Sequence, residues 1–191
     1  MAVYTKITTE EIISISKSYQ LNKIIKFKGI KKGIENTNYL LETDKKKLIL
    51  TIFEKRVKKK DLPFFMNLMS ELNQRNIICP NPLKNKKGQY LSKIKGKPAC
   101  IVSFVKGKDK TKLNNQNCFE IGKNIAKFHK AATKIKLFRH NSMSVTKLNY
   151  LLKSIKIKSS KMSSRIIPIL YKNLKDIKKE WPKNLPNGII H

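Results

Sequence analysis

The residues best suited to chemistry lie in Gly29-Ile30-Lys31-Lys32-Gly33-Ile34-Glu35-Asn36-Thr37-Asn38-Tyr39. Glycines let backbone N–H groups close on an anion, and asparagine amides add donors, so the spacing suits a loop that cradles phosphates. The same residues also make an ordinary hairpin turn, and on composition alone the turn is the commoner reading. A second candidate is His191, which follows the apolar run Gly188-Ile189-Ile190. Other chemistries find little support. No Gly-x-Ser-x-Gly elbow and no Walker-type loop occurs. The three histidines and three cysteines are scattered without metal-ligand spacing. Cys79, Cys100 and Cys118 read as small buried hydrophobes in a reducing compartment. His129 reads as a core histidine on a helix face, His140 as a loop residue, Trp181 as a packing anchor and Lys58-Lys59-Lys60 as a solvated run.

The glycine segment needs strands on either side to hold it. Ile24 to Ile30 alternates in the manner of a strand, Asn38 to Thr43 is a second and Lys47 to Glu54 a third, joined by short turns. Such short links predict an antiparallel meander. Ahead of it, Thr8 and Glu11 have the spacing of a capping box that opens a helix, which Gln20 to Asn22 break. After it, Asp61 is placed to cap a helix with Pro63 in its first turn and Phe64, Phe65, Leu68, Met69 and Leu72 on its apolar face. Leu83-Lys84 and Gly88 to Leu91 suggest a hairpin. Pro98 to Val105 reads as a buried strand stopped by Lys106-Gly107.

The composition then turns helical. Cys118, Ile121, Ile125, Phe128 and Ala132 recur on one face of a helix over Asn115 to Thr133. Two more helices are predicted near Thr146 to Lys156 and Ser163 to Lys179, the second kinked or delayed by Pro168. The order predicts an α+β fold of two lobes. The first, residues 1–104, is an antiparallel sheet with one long helix and the N-terminal helix. The second, residues 105–191, is helical and incomplete.

The chain has 191 residues, 40% of them hydrophobic, which is enough for a core. No apolar run approaches the ~20 residues of a membrane span, and no signal peptide is evident. The formal charge of +31 points first to nucleic acid. Yet Lys outnumbers Arg by 39 to 4, and the lysines are spread over the whole chain. Base and phosphate readout favours Arg forks gathered in a patch. Ile at 25 and Asn at 17 are inflated together with Lys, the signature of A/T-rich codons. The expectation is therefore no nucleic-acid partner and no membrane partner.

Taken in order, six segments carry a resemblance: Gly33 to Leu40, Leu48 to Glu54, Leu62 to Met69, Cys79-Pro80-Asn81-Pro82, Gly96 to Ala99, and Leu185 to His191. Together they resemble bacterial homoserine kinases of the aminoglycoside-phosphotransferase-like superfamily, whose fold is that of protein kinases. The resemblance runs from Met1 to His191. It implies that Gly29, Gly33, Asn36 and Asn38 lie over ATP phosphates, and that Ser103, Phe104 and Val105 form the hinge that pairs with adenine. It implies that Leu185 to His191 is a buried strand running into the catalytic loop, with His191 as that loop's first residue. The catalytic Asp and the acids that hold Mg2+ would then lie past His191, so no metal ligand is assigned within the chain. One departure from the general kinase pattern stands out. The third strand of a kinase carries a Lys for the phosphates, and the matching residue here is Thr51. Lys55 and Arg56 are near in sequence, and Glu71 is the sole acid on the Asp61 helix after its cap. A solvated surface role is expected for Glu71.

The implied activity is ATP-dependent phosphorylation of homoserine on the route to threonine, in the cytoplasm. The chain alone is expected to be inactive. The rival readings are a kinase of the same superfamily acting on choline, methylthioribose or an aminoglycoside, a degenerate kinase fragment, and a non-catalytic basic binding module.

Overall fold

The computed structural model describes residues 3–55, 57–141, 144–156, 161–182, 184–185 and 188–190. His191 and Arg56 lie outside the described residues. The chain divides into two compact units, one running to Phe138 and taking in 188–190, the other beginning at Arg139.

The first unit is built on a five-stranded antiparallel sheet: β1 (Ile24–Gly29), β2 (Thr37–Thr43), β3 (Lys47–Ile52), β4 (Leu91–Ile94) and β5 (Lys97–Ser103). Their order across the sheet is β1-β2-β3-β5-β4. Strand alternation sorts the side chains onto two faces. Tyr39, Leu41, Leu48, Leu50, Ile52, Ala99 and Ile101 form one core with Ile12 and Ile15 of helix α1 (Thr9–Ser18) and with Tyr19 just after it. Burying each large apolar side chain here is worth about 2 kcal/mol. Cys100 and Val102 face the other way and pack with Leu62 and Met66 of helix α2 (Leu62–Gln74).

The helix ends follow local rules. Thr8 Oγ1 accepts from Glu11 N at 3.3 Å, and the Glu11 carboxylate accepts from Thr8 N at 2.8 Å, which is the expected capping box. Both α1 and α2 stop in Schellman motifs. Leu21 N donates to Ser16 O and Ile77 N to Leu72 O, each at 3.0 Å, with Gln20 and Asn76 at positive φ. Asp61 departs from expectation. It sits in a single 3-10 turn, Lys59–Asp61, with helical backbone angles and no capping hydrogen bond. An N-cap needs an extended backbone to turn its oxygen onto the first amides, and the 3-10 turn denies it that.

The expected hairpin between residues 83–84 and 88–91 is not formed. Asn85 N donates to Gln89 O at 2.8 Å and closes a local turn. The hairpin lies further on, where β4 pairs with β5 across Lys95-Gly96, both at positive φ. That is the geometry of a type I′ turn, and a Lys in its first position conceals it from sequence.

Helix α3 (Asn115–Ala132) completes the first unit. Asn114 caps it, accepting from Asn117 N at 2.9 Å. Its apolar stripe is only partly covered. Ala132 is buried, whereas Phe119 and Ile121 are exposed, and so is Cys118. Only Cys100 of the three cysteines is buried, with Cys79 intermediate, so the reading of all three as buried hydrophobes holds for one. A cleft of about 850 Å³ runs between Ile77–Cys79 and the Ile121, Ile125 and Phe128 side of α3, and none of the predicted site residues lines it.

The second unit pairs α4 (Val145–Lys156) with α5 (Lys161–Glu180) over Leu152, Ile167 and Leu174. Ser144 Oγ accepts from Lys147 N at the start of α4. Pro168 lies inside α5 and does not delay its start. Trp181 is 52% exposed and anchors little, which corrects the packing role expected of it.

Candidate functional site

Residues directly opposite on neighbouring strands share a face, so the register fixes which side chains meet. Asn38 pairs with Thr51, Thr51 with Cys100 and Cys100 with Leu91, giving one row across the sheet. Lys28, Leu40, Ile49 and Val102 give the next row. This is the α2 face. The helix covers the end of each row nearest Cys100 and Val102, while Asn38, Leu40 and Thr51 stay half-buried and Lys28 exposed. The result is a partly open apolar floor with polar groups at one edge.

At that edge Thr51 Oγ1 donates to Asn38 Oδ1 at 2.8 Å. Accepting there leaves the Asn38 amide N–H groups as donors. Thr51 therefore completes a cross-strand bond and offers no cation. Glu71 forms an i,i+4 ion pair with Arg75 along α2, the surface role expected of it. Lys55 is exposed.

The turn between β1 and β2 is closed at its base by Ile30 N donating to Asn38 O at 2.8 Å. Gly33 has φ +103° and nothing within 4 Å of where a Cβ would stand. It is a backbone position that requires glycine and faces open space, so a phosphate can approach it. Asn36 Oδ1 accepts from Glu54 N at 3.4 Å, tying the end of the turn to the end of β3. Gly29 has a different use. It pairs with Tyr39, whose ring is in the α1 core, and a Cβ on Gly29 would meet Val3 Cγ2 at 2.9 Å. Its missing side chain makes room for the N-terminal segment. Lys32, in the same turn, pairs with Asp109 of the segment after β5, and each holds the other in its charged form, Lys32 raised and Asp109 lowered from their ordinary values.

The three residues expected to form the hinge are not equivalent. Ser103 N donates to Asn81 O at 2.9 Å, and Ser103 Oγ accepts from Asn81 N at 2.9 Å. Phe104 N donates to Lys47 O at 3.3 Å. Val105, 40% exposed, has no backbone partner for its N–H among the described residues.

The polar cluster that sequence reasoning missed is at the opposite end of β3. Glu54 Oε1 accepts from Thr5 Oγ1 and from Thr37 Oγ1, both at 2.7 Å, and Lys97 pairs with its other oxygen. Burial works to raise the Glu54 carboxyl, but these donors outweigh it and hold the group below the ordinary carboxylate value. Each residue is unremarkable in sequence, and they come from positions 5, 37, 54 and 97. Only the fold assembles them.

The strand expected over Leu185 to His191 is absent from its described residues. Leu185 and Gly188–Ile190 form no strand, and Leu185 and Ile190 are 64% and 69% exposed. An apolar run becomes a strand only when it pairs with a neighbour, and these residues take part in no strand pairing among the described residues. No group of three or more metal-ligating side chains occurs among the described residues.

An antiparallel sheet with a glycine turn over a half-open face, together with helices, is the frame of a protein-kinase-like α+β fold. A model of the phosphotransferase enzyme family, APH, matches residues 26–191, and the chain belongs to that family. Among curated relatives, homoserine kinase from Parvibaculum lavamentivorans is 37% identical over all 191 residues. Homoserine kinases from Afipia carboxidovorans and Rhizobium meliloti are each 38% identical over the same span. The chain covers 60% of the first of these proteins and 59% of the other two. It thus spans about three-fifths of the length of the relatives it matches. Among solved structures, spectinomycin phosphotransferase in complex with ADP and spectinomycin aligns with TM-score 0.60 at 12% identity, covering 96% of this chain and 60% of that one. That likeness speaks for the fold.

Proposed function

We propose that this chain is the nucleotide-binding portion of a homoserine kinase, which transfers the γ-phosphoryl group of ATP to the homoserine hydroxyl and releases ADP and O-phosphohomoserine. The observation that carries the reading is the match to homoserine kinases along all 191 residues. In this reading residues 1–104 form the nucleotide lobe and 105–191 the start of the helical lobe. The backbone around Gly33 and the Asn36 and Asn38 amides face the phosphates. Leu40 and Ile49 floor the purine site, and Thr51 keeps Asn38 oriented. At the hinge, the Ser103 and Phe104 N–H groups are engaged within the protein, so Val105 is the donor to adenine. His191 opens the catalytic loop.

Phosphoryl transfer depends on positioning and charge neutralisation more than on covalent chemistry. Magnesium, when bound, supplies part of that neutralisation, and the carboxylates that hold it belong to the remainder of the relatives' length. So does the Asp that orients the attacking hydroxyl. The chain alone therefore binds MgATP without useful turnover, and the complete enzyme serves threonine synthesis in the cytoplasm.

Two measurements test this. Titration with MgATP should show saturable binding by the chain, and a coupled ADP-release assay with homoserine should show turnover by a full-length relative and almost none by the chain. Absence of nucleotide binding would sink the proposal. So would turnover by the chain near that of the full-length enzyme, or a preference of the full-length enzyme for choline, methylthioribose or an aminoglycoside.

A further inference from the structure

The turn between β1 and β2 is crossed at three points by the segment that precedes α1. Val3 lies against Gly29 at the start of the turn, an approach that any Cβ there would obstruct. The Tyr4 hydroxyl donates to Ile34 O at 3.0 Å in mid-turn. At the far end, the backbone N–H groups of Tyr4 and Thr5 both donate to Thr37 Oγ1, at 2.9 and 3.1 Å. Thr37 is 0% exposed, and its hydroxyl passes its own proton to Glu54. The anchor beneath is saturated: Lys97 Nζ donates to Thr5 Oγ1 at 2.7 Å and pairs with Glu54, and the Tyr39 hydroxyl donates to Thr5 O at 3.0 Å.

We infer that Val3–Thr5 is a strap that holds the Gly29–Asn38 turn in its nucleotide-receiving conformation, with Thr37, Glu54 and Lys97 as its anchor. The inference rests on the reading of that turn as the phosphate loop. Within the turn the base is closed by Ile30 N to Asn38 O, and a loop so sparsely bonded opens easily. A loop ordered only on binding takes its ordering entropy out of the affinity, whereas one ordered beforehand does not. The strap contacts the turn from the side of the α1 core, so it orders the loop without occupying the face where Asn38 and Thr51 stand. Tyr4, Thr5 and Thr37 are thus positioning residues and touch no substrate.

The test measures amide hydrogen exchange over residues 29–38 in the full 191-residue chain, together with MgATP affinity, for the unaltered protein and for Tyr4→Phe, Thr37→Val and Thr37→Ser. Tyr4→Phe removes a single exposed hydrogen bond and should lower the melting temperature by no more than about 4 °C. It should speed exchange in the turn by about fivefold and weaken MgATP by a similar factor. Thr37→Val should do more, and Thr37→Ser, which restores the acceptor, should recover both. Unchanged exchange in Tyr4→Phe, or a folded Thr37→Val of normal exchange, would overturn the strap. Faster exchange with undiminished affinity would overturn its positioning role. Failure of the unaltered chain to bind MgATP would refute the nucleotide reading and the positioning role with it. That failure is distinguishable, because the exchange measurement needs no ligand.

Discussion

Replacing Glu54 by Gln tests the buried cluster at the end of β3 most directly. The side chain is 10% exposed, accepts two hydroxyl protons at 2.7 Å and pairs with Lys97. Gln keeps the shape but loses the charge and turns one acceptor into a donor. Removing one partner of a fully buried pair costs about 3–5 kcal/mol. The Lys97 side chain is 41% exposed, so water takes up part of its charge and the cost falls toward the ~1–3 kcal/mol of a lost charge-assisted hydrogen bond. For a chain of this size that lowers the melting temperature by roughly 3–10 °C. The pH dependence has a definite sign. A carboxylate held below its unfolded value adds stability that is complete above about pH 5 and disappears as the pH falls through the folded value, below the ordinary ~4.3. The deficit of Glu54→Gln should therefore be full at pH 7 and shrink toward pH 3.5. Thermal unfolding followed by circular dichroism at both pH values reads it. A deficit under about 1 °C at pH 7, or one equal at the two pH values, would refute the reasoning.

Three further outcomes follow from single residues. Leu50 is 0% exposed in the α1 core, so Leu50→Ala should cost about 2–5 kcal/mol in urea unfolding with the slope unchanged. Gly33→Ala meets no atom, so its cost is backbone strain alone, about 1–3 kcal/mol by the same measurement. Burial pushes the Cys100 thiol up to about 12, whereas Cys118 is exposed, so a thiol reagent at pH 8 should label Cys118 quickly and Cys100 only on unfolding.

The partly covered helix α3 bears on handling of the protein. Phe119 is 62% exposed, and Leu113, which lines the cleft beside Ile77 and Ile78, is 55% exposed. Apolar surface of this kind favours association, so low protein concentration suits all of these measurements.

Local sequence signals fixed much of the frame. Alternation in Ile24 to Ile52 located three strands, the Thr8 and Glu11 spacing located the first helix start, and 3.6-residue recurrence located α3, because each depends on neighbours only a few residues apart. Signals that depend on backbone angle were weaker. Lys95-Gly96 and the 3-10 turn at Asp61 look ordinary in sequence, since their residue types do not announce their conformations. The residues of the proposed nucleotide face come from the family pattern, but their hydrogen-bond partners do not. That Asn38 is bonded to Thr51, that Ser103 is spent on Asn81, and that Gly29 makes room for Val3 all depend on strand register and on which chain segment lies opposite. The Thr5, Thr37, Glu54 and Lys97 cluster is the extreme case. Its members are up to 92 residues apart, and no pattern of local period links them. Sequence determined the elements, because their causes are local. Tertiary structure decided the polar partnerships, because a buried hydrogen-bonding group is satisfied by whichever donor or acceptor the packed fold brings within about 3 Å.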